Sequence, residues 1–277
     1  LAVMNLLAAN GRVTGGSIRF DGKELSPAAL KTRAERAAHE KMMAEVRGAG
    51  IGMIFQDPMT YLNPVLRIET QMTEGLRRHT GCSQAEALDK AIAMLKRVGI
   101  PNPEKRMKQY PYELSGGMRQ RVIIASALSC GPKLLIADEP TTALDVTVQM
   151  QILQLIKSAA QEQGTSVVMI THDLGVVAEI CGRIDILYAG RIVEEGTALE
   201  LFEAPRHPYS KGLLASAGSA AANTPRGALP SIPGTPPNLL TLSGGCAFAP
   251  RCPEAMRVCM DYPPASTAFS ATHECSC

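Results

Sequence analysis

The chain has 277 residues, with 28 basic against 26 acidic side chains for a net charge of +2, and is 45% hydrophobic without a Trp. That length suits one sizeable α/β domain with an appendage, and the near-neutral balance gives no electrostatic case for a nucleic-acid partner. The longest apolar runs, such as 122–128 and 134–137, are too short to cross a bilayer, so any membrane association is expected to be peripheral.

Residues 1–9 read as the tail of an amphipathic helix without the basic leader of a signal peptide. A Gly-rich turn, a strand at 17–20 and a tight Asp21-Gly22 turn follow. Because position 1 is Leu and the chain opens in mid-helix, the sequence is expected to be a piece of a longer one. Residues 28–47 are polar, Ala-rich and expected to be an exposed helix. IGMIF at 51–55 reads as a short buried strand ending at Gln56, after which two prolines interrupt regular structure at 57–64. Helical periodicity runs from 65 to 128 with a loop at 99–103, and 134–137 is a buried strand. A helix at 146–163 closed by Gly164 leads to a second buried strand at 166–170. A helix at 174–181 and strands at 184–188 and 191–193, around a Gly190 turn, complete the core. Strands separated by helices imply a mainly parallel, covered sheet. Beyond 214 the chain turns rich in Ala, Gly, Ser and Pro, and five cysteines then fall within 246–277.

Two stretches carry chemistry. Leu114-Ser115-Gly116-Gly117 stands directly ahead of a helix-forming run, and the strand LLIA ends in Asp138-Glu139. Free N–H groups at a helix N-terminus, reached through glycines, attract an oxyanion. An Asp at the end of a buried strand is a common holder of Mg²⁺. Either feature alone has a plain structural explanation, a capped turn for the first and a strand-to-loop junction for the second. Gln56 also follows a strand, and His172 is the one histidine of five that ends an apolar strand and precedes an Asp. No G-x-x-x-x-G-K-[ST] run occurs in the 277 residues.

Together, in this order, FQDP (55–58), LSGGMRQR (114–121), LLIADE (134–139), TTALD (141–145) and ITHD (170–173) resemble the Q-loop, signature, Walker B, D-loop and switch-histidine segments of ABC-type ATPases. The resemblance implies a P-loop-type ABC ATPase core, an α/β fold with a mainly parallel sheet, carrying a helical subdomain at about 58–130. It implies ATP and Mg²⁺, with Asp138 on the metal and Glu139, His172 and Gln56 around the γ-phosphate and attacking water. Ser115, Gly116, Gly117 and Gln120 would close over nucleotide held by a second ATPase subunit in a head-to-tail dimer, which Asp145 would also face.

FQDPMTYLNP (55–64), YPYELSGGMRQRV (110–122), YAGRIVEEG (188–196) and HPYSKGLL (207–214) resemble one branch, the ATP-binding subunits of oligopeptide, dipeptide and nickel importers. Tyr61 and Tyr112 depart from that branch's usual Ser and His, at positions that touch no phosphate. The expected organisation is an ATPase domain at 1–214 lacking its first strands and phosphate loop, a linker at 215–245, and a Cys-rich extension at 246–277. Two transmembrane permease subunits, met by a groove from Met59 to Pro64, and an extracytoplasmic solute-binding protein are the implied partners. The implied place is the cytoplasmic face of the inner membrane. A degenerate partner supplying only its signature turn, or a soluble non-transport ABC ATPase, are the alternatives. For the cysteines, C-x₅-C-x₆-C-x₁₅-C lacks the close pairs of a zinc site. Importer subunits sharing the GC-x-F-x-x-RC pattern imply a [4Fe–4S] cluster on Cys246, Cys252, Cys259 and Cys275, with Cys277 as a spare or substitute.

Overall fold

A computed structural model describes residues 1–56, 61–141, 146–218, 231–242 and 244–277. They fall into two units, Leu1–Ile170 and Thr171–Cys277.

The first unit opens on turns, not on a helix: Met4 N–H donates to Leu1 at 3.1 Å and Asn5 N–H to Ala2 at 3.0 Å. A few residues cannot repay the ordering needed to nucleate a helix, so the segment packs through Met4, with Val3 beside it. A hairpin joins β1 (Arg19–Phe20) to β2 (Lys23–Glu24). Its turn residues Asp21 and Gly22 lie at φ +50° and +77°, the left-handed pair that a two-residue hairpin demands. Helix α1 (Arg33–Glu45) starts at a capping box between Thr32 and Glu35.

Three parallel strands form the sheet: β3 (Ile51–Ile54), β4 (Leu134–Asp138) and β5 (Ser166–Ile170), with β4 in the middle. Between β3 and β4 run helices α2 (Ile68–Thr80), α3 (Gln84–Arg97), α4 (Pro103–Met107) and α5 (Gly116–Ser129). Helix α5 is buried on most of its circumference through Val122, Ile123, Ile124, Ala125 and Leu128, so it forms the centre of the core against which α2 and α3 lay their apolar stripes. Helix α6 (Val146–Gln163) returns the chain to β5. Strand β5 forms where the sequence places it, yet it is not covered: Val168 and Ile170 each keep 49% of their surface. An apolar run does not distinguish a covered strand from an edge strand, and among the described residues β5 is hydrogen-bonded along β4 only.

The second unit departs from the parallel expectation. Helix α7 (Leu174–Ile180) leads into β6 (Arg183–Tyr188) and β7 (Arg191–Thr197), which are joined by Ala189-Gly190 at φ +48° and +79°. A two-residue connection can only return the chain antiparallel. Helices α8 (Ala198–Glu203), α9 (Pro208–Gly218) and α10 (Arg257–Asp261) follow. Strands β8 (Thr267–Ala268) and β9 (Glu274–Cys275) then complete an antiparallel sheet ordered β6-β7-β9-β8. The cysteine-rich tail is thus stitched into the sheet of the preceding segment. Phe248, 2% exposed, anchors it, with its ring 5.1 Å from Tyr188 and 5.4 Å from Tyr209. Among the described residues no helix is long and apolar enough to cross a membrane.

Candidate functional site

Parallel sheets present their sites at the carboxyl ends of the strands. Here β3 runs out toward Gln56 and β4 ends in Asp138 and Glu139. The Gln56 amide Nε2 donates to Glu139 Oε2 at 3.0 Å. A neutral amide fixes the carboxylate without neutralising it, whereas a Lys or Arg partner would stabilise the anion and weaken it as a base. Asp138 is half-buried at the strand end.

Glu139 also carries strain. Its φ is +44°, a left-handed conformation outside glycine's usual province, and Pro140 follows it. Such a residue costs roughly 1–2 kcal/mol and persists only if its surroundings over-determine it. They do. Its N–H donates to Ile170 O at 2.9 Å, its side chain is held by Gln56, and the next carbonyl, of Pro140, accepts from the Gln120 amide.

Ser115 caps α5, its Oγ accepting from Met118 N–H at 3.3 Å. Ser115 and Gly116 are exposed and Gly117 is half-buried. The first-turn N–H groups of the helix have no acceptor within it, so this turn offers donors at an accessible surface. Gln120 does not share that surface. Expected at the nucleotide, it is 1% exposed, and its amide reaches inward to Pro140. One helical turn beyond the signature glycines, it already points into the core. Its Oε1 is buried without a partner. His172 is exposed, two positions beyond β5 at the start of the second unit, where Asp173 caps α7 through Oδ1 to the N–H groups of Gly175 and Val176. Asp145, like Met59 of the expected permease groove, lies outside the described residues.

The cysteines of the tail sit in different surroundings. Cys275 is 2% exposed in β9, and burial, then Glu194 and Cys277, push its thiol up to about 12. Cys277 is more open. Burial raises its thiol first, and the charges of Cys252, Cys246 and Cys259 raise it further. Cys246 N–H donates to Cys259 O at 2.8 Å, which pins two members of this group to each other. In a strand alternate side chains face opposite ways, but Cys277 lies beyond the last strand pair, so parity with Cys275 does not hold it. Among the described residues no group of three or more His, Cys, Asp or Glu side chains is placed to hold a metal ion.

Some contacts left no signal in the sequence. Glu194, 1% exposed, accepts from the N–H groups of Arg206 at 2.6 Å and His207 at 3.0 Å and faces His273 Nε2 at 2.8 Å. It ties β7, the HPY segment and the chain's last hairpin together. Arg121 donates to Val98 O at 2.6 Å and to Gln151 Oε1 at 3.1 Å, bracing α5 within the helical layer.

Comparison with known proteins agrees with this geometry. Residues 2–142 match the ABC transporter family and residues 193–259 the oligopeptide/dipeptide transporter C-terminal region. The chain is 51% identical over 269 residues to the oligopeptide transport ATP-binding protein OppD of Salmonella typhimurium, covering 97% of this chain and 76% of that protein. It is 47% identical over 277 residues to the dipeptide transport ATP-binding protein DppD of Bacillus subtilis, covering 100% of this chain and 79% of that one. Among solved structures it resembles the ATP-binding cassette MJ0796, a dimer in a post-hydrolysis state bound to ADP and Pi. That match has 28% identity and a TM-score of 0.57, and covers 70% of this chain and 78% of that one. With an ABC transporter segment and an oligopeptide/dipeptide transporter C-terminal region in one sequence, the chain belongs to the ATP-binding subunits of the ABC transporter family.

Proposed function

We propose that this chain hydrolyses ATP to power a peptide-type importer. The reading rests on the hydrogen bond between Gln56 and Glu139 at the carboxyl ends of β3 and β4. That contact fixes the position and orientation of a carboxylate, as a general base for water requires. The signature turn supports the second half of the assignment: Ser115, Gly116 and Gly117 present donors suited to the γ-phosphate of ATP held by a second subunit. His172 takes the γ-phosphate contact, and Asp145 the partner-facing place, by family position. In this assembly two permease subunits receive the work and an extracytoplasmic binding protein delivers the solute, with the chain peripheral at the cytoplasmic face. Exposed Tyr61, Val65 and Leu66, at the start of the helical layer, suit the permease contact.

Asp138 suits Mg²⁺, which takes one or two carboxylates and completes its shell with water and phosphate. Bound there, the ion would neutralise charge on the phosphates. Cys246, Cys252, Cys259 and Cys275, with Cys277 as a spare or substitute, would hold an iron–sulfur cluster, whose chemistry is structural cross-linking or one-electron exchange.

A partner that supplies only its signature turn has no use for a clamped Glu139, so the catalytic reading is favoured over the degenerate one. A soluble non-transport ATPase has no call for a C-terminal region of transporter type. The test is phosphate release by the assembled transporter. Glu139→Gln is expected to lower kcat by at least about 100-fold while ATP still binds. Unchanged turnover would overturn the reading. The 277-residue polypeptide by itself is expected to turn over ATP negligibly, because no phosphate-loop lysine or backbone cradle is in its sequence. Robust Glu139-dependent hydrolysis by that polypeptide would refute this.

A further inference from the structure

The first unit buries Gln120 at the meeting point of its two chemical segments. Gln120 is 1% exposed, donates through Nε2 to Pro140 O, and leaves Oε1 buried without a partner. A glutamine kept only for packing is a poor choice here. Methionine fills the same volume without an orphaned acceptor, and a buried unsatisfied oxygen costs more than one neutral hydrogen bond returns. What glutamine provides and methionine does not is the bond to Pro140.

Pro140 has no N–H of its own and follows the strained Glu139. Its carbonyl is therefore the next handle by which the turn can be held once Ile170 has taken the Glu139 N–H. The donor comes from α5, whose first turn carries Ser115, Gly116 and Gly117. A helix is stiff over one turn, so displacement of the signature turn is passed to Gln120 and on to the Glu139 backbone.

We propose that Gln120 is a positioning residue for hydrolysis: its amide fastens the Glu139–Pro140 turn to the helix that presents the signature turn. A subunit whose signature turn is seated on its partner's nucleotide thereby holds its own Glu139 in the hydrolytic geometry. The inference rests on the ATPase reading above.

The experiment is steady-state ATP hydrolysis by the assembled transporter carrying Gln120→Met, with KM, kcat and thermal stability measured together. Loss of the tether is expected to lower kcat by about 10- to 100-fold, the scale of a small misplacement of a catalytic group. KM for ATP should stay within about twofold and the melting temperature should not fall. Gln120→Glu adds a signature that packing alone does not give. Its carboxyl donates to Pro140 only when protonated, so its kcat relative to the unsubstituted complex should rise as pH falls. A Gln120→Met complex with unchanged kcat overturns the proposal, and so does one whose KM rises in step with the fall in kcat. An unsubstituted complex indifferent to Glu139→Gln would instead sink the ATPase reading itself, so the two failures are distinguishable.

Discussion

Gln56 and Glu139 stand 83 positions apart in sequence, and the amide of the first donates to the carboxylate of the second at 3.0 Å. The contact exists because β3 and β4 are parallel neighbours in register from Ile51 opposite Leu134 to Ile54 opposite Ala137. Each strand delivers its polar residue just past the point where pairing stops.

Removing the amide should misdirect the base without unfolding the sheet. Gln56→Ala is expected to lower kcat of the assembled transporter by about 10- to 100-fold. Gln56→Glu should do more, since a second carboxylate at that distance raises the pH at which the pair ionises. The acidic limb of its pH–rate profile should move upward. A profile superimposable on that of the parent complex would show that the two side chains are not in contact during turnover.

Gly52 fixes how closely α5 approaches β3. A Cβ there would stand 2.5 Å from the carbonyl oxygen of Ala127 and 3.2 Å from Pro132 Cγ, so even a methyl group forces helix and strand apart. Gly52→Ala should destabilise the first unit by about 1–3 kcal/mol, the range for overpacking a filled core. It should also lower kcat, because β3 carries Gln56. Urea titration checks the first expectation and phosphate release the second; a parent-like midpoint would mean the gap is wider than described.

Glu200 holds the chain's last turn. It accepts from Ser270 Oγ at 2.5 Å and from Thr272 Oγ1 at 2.9 Å. Its carboxyl is lowered from 4.5 to about 2, first by the Ser270 hydroxyl and then by the Thr197 N–H and hydroxyl. A carboxyl depressed by folding contributes stability that is complete above its unfolded value and fades as the pH falls through its folded one. The urea midpoints of the parent and Glu200→Gln proteins should therefore differ at pH 6 and converge as the pH drops from about 4.5 toward 2. A gap that stays constant with pH would count against the assignment.

The cysteines give a chemical test. After anaerobic reconstitution with iron and sulfide, Cys275→Ser should lose the visible absorbance and iron of the proposed cluster, while Cys277→Ser should keep both. In the metal-free protein, iodoacetamide should label exposed Cys277 well before buried Cys275. Loss of iron in Cys277→Ser alone would instead give Cys277 the fourth place.

The sequence by itself determined the order of the motifs along the chain, because each motif is a local contract between residue type and strand or helix end. Ser115 caps a helix and Asp138 ends a strand through neighbours within a few positions, and the helix at 146–163 closes on Gly164 at φ +67° where a left-handed residue is needed. Turn chemistry was equally legible at Asp21-Gly22, and Ala189-Gly190 dictated an antiparallel return that the general rule of alternating helices and strands obscured. What depended on long-range packing was not readable. LSGGMRQR does not reveal that Gln120 faces inward to Pro140. Strand β5 looks like any buried run until the sheet shows that one of its edges has no partner among the described residues. Periodicity reports which face of an element is apolar, and only the tertiary structure decides what lies against it.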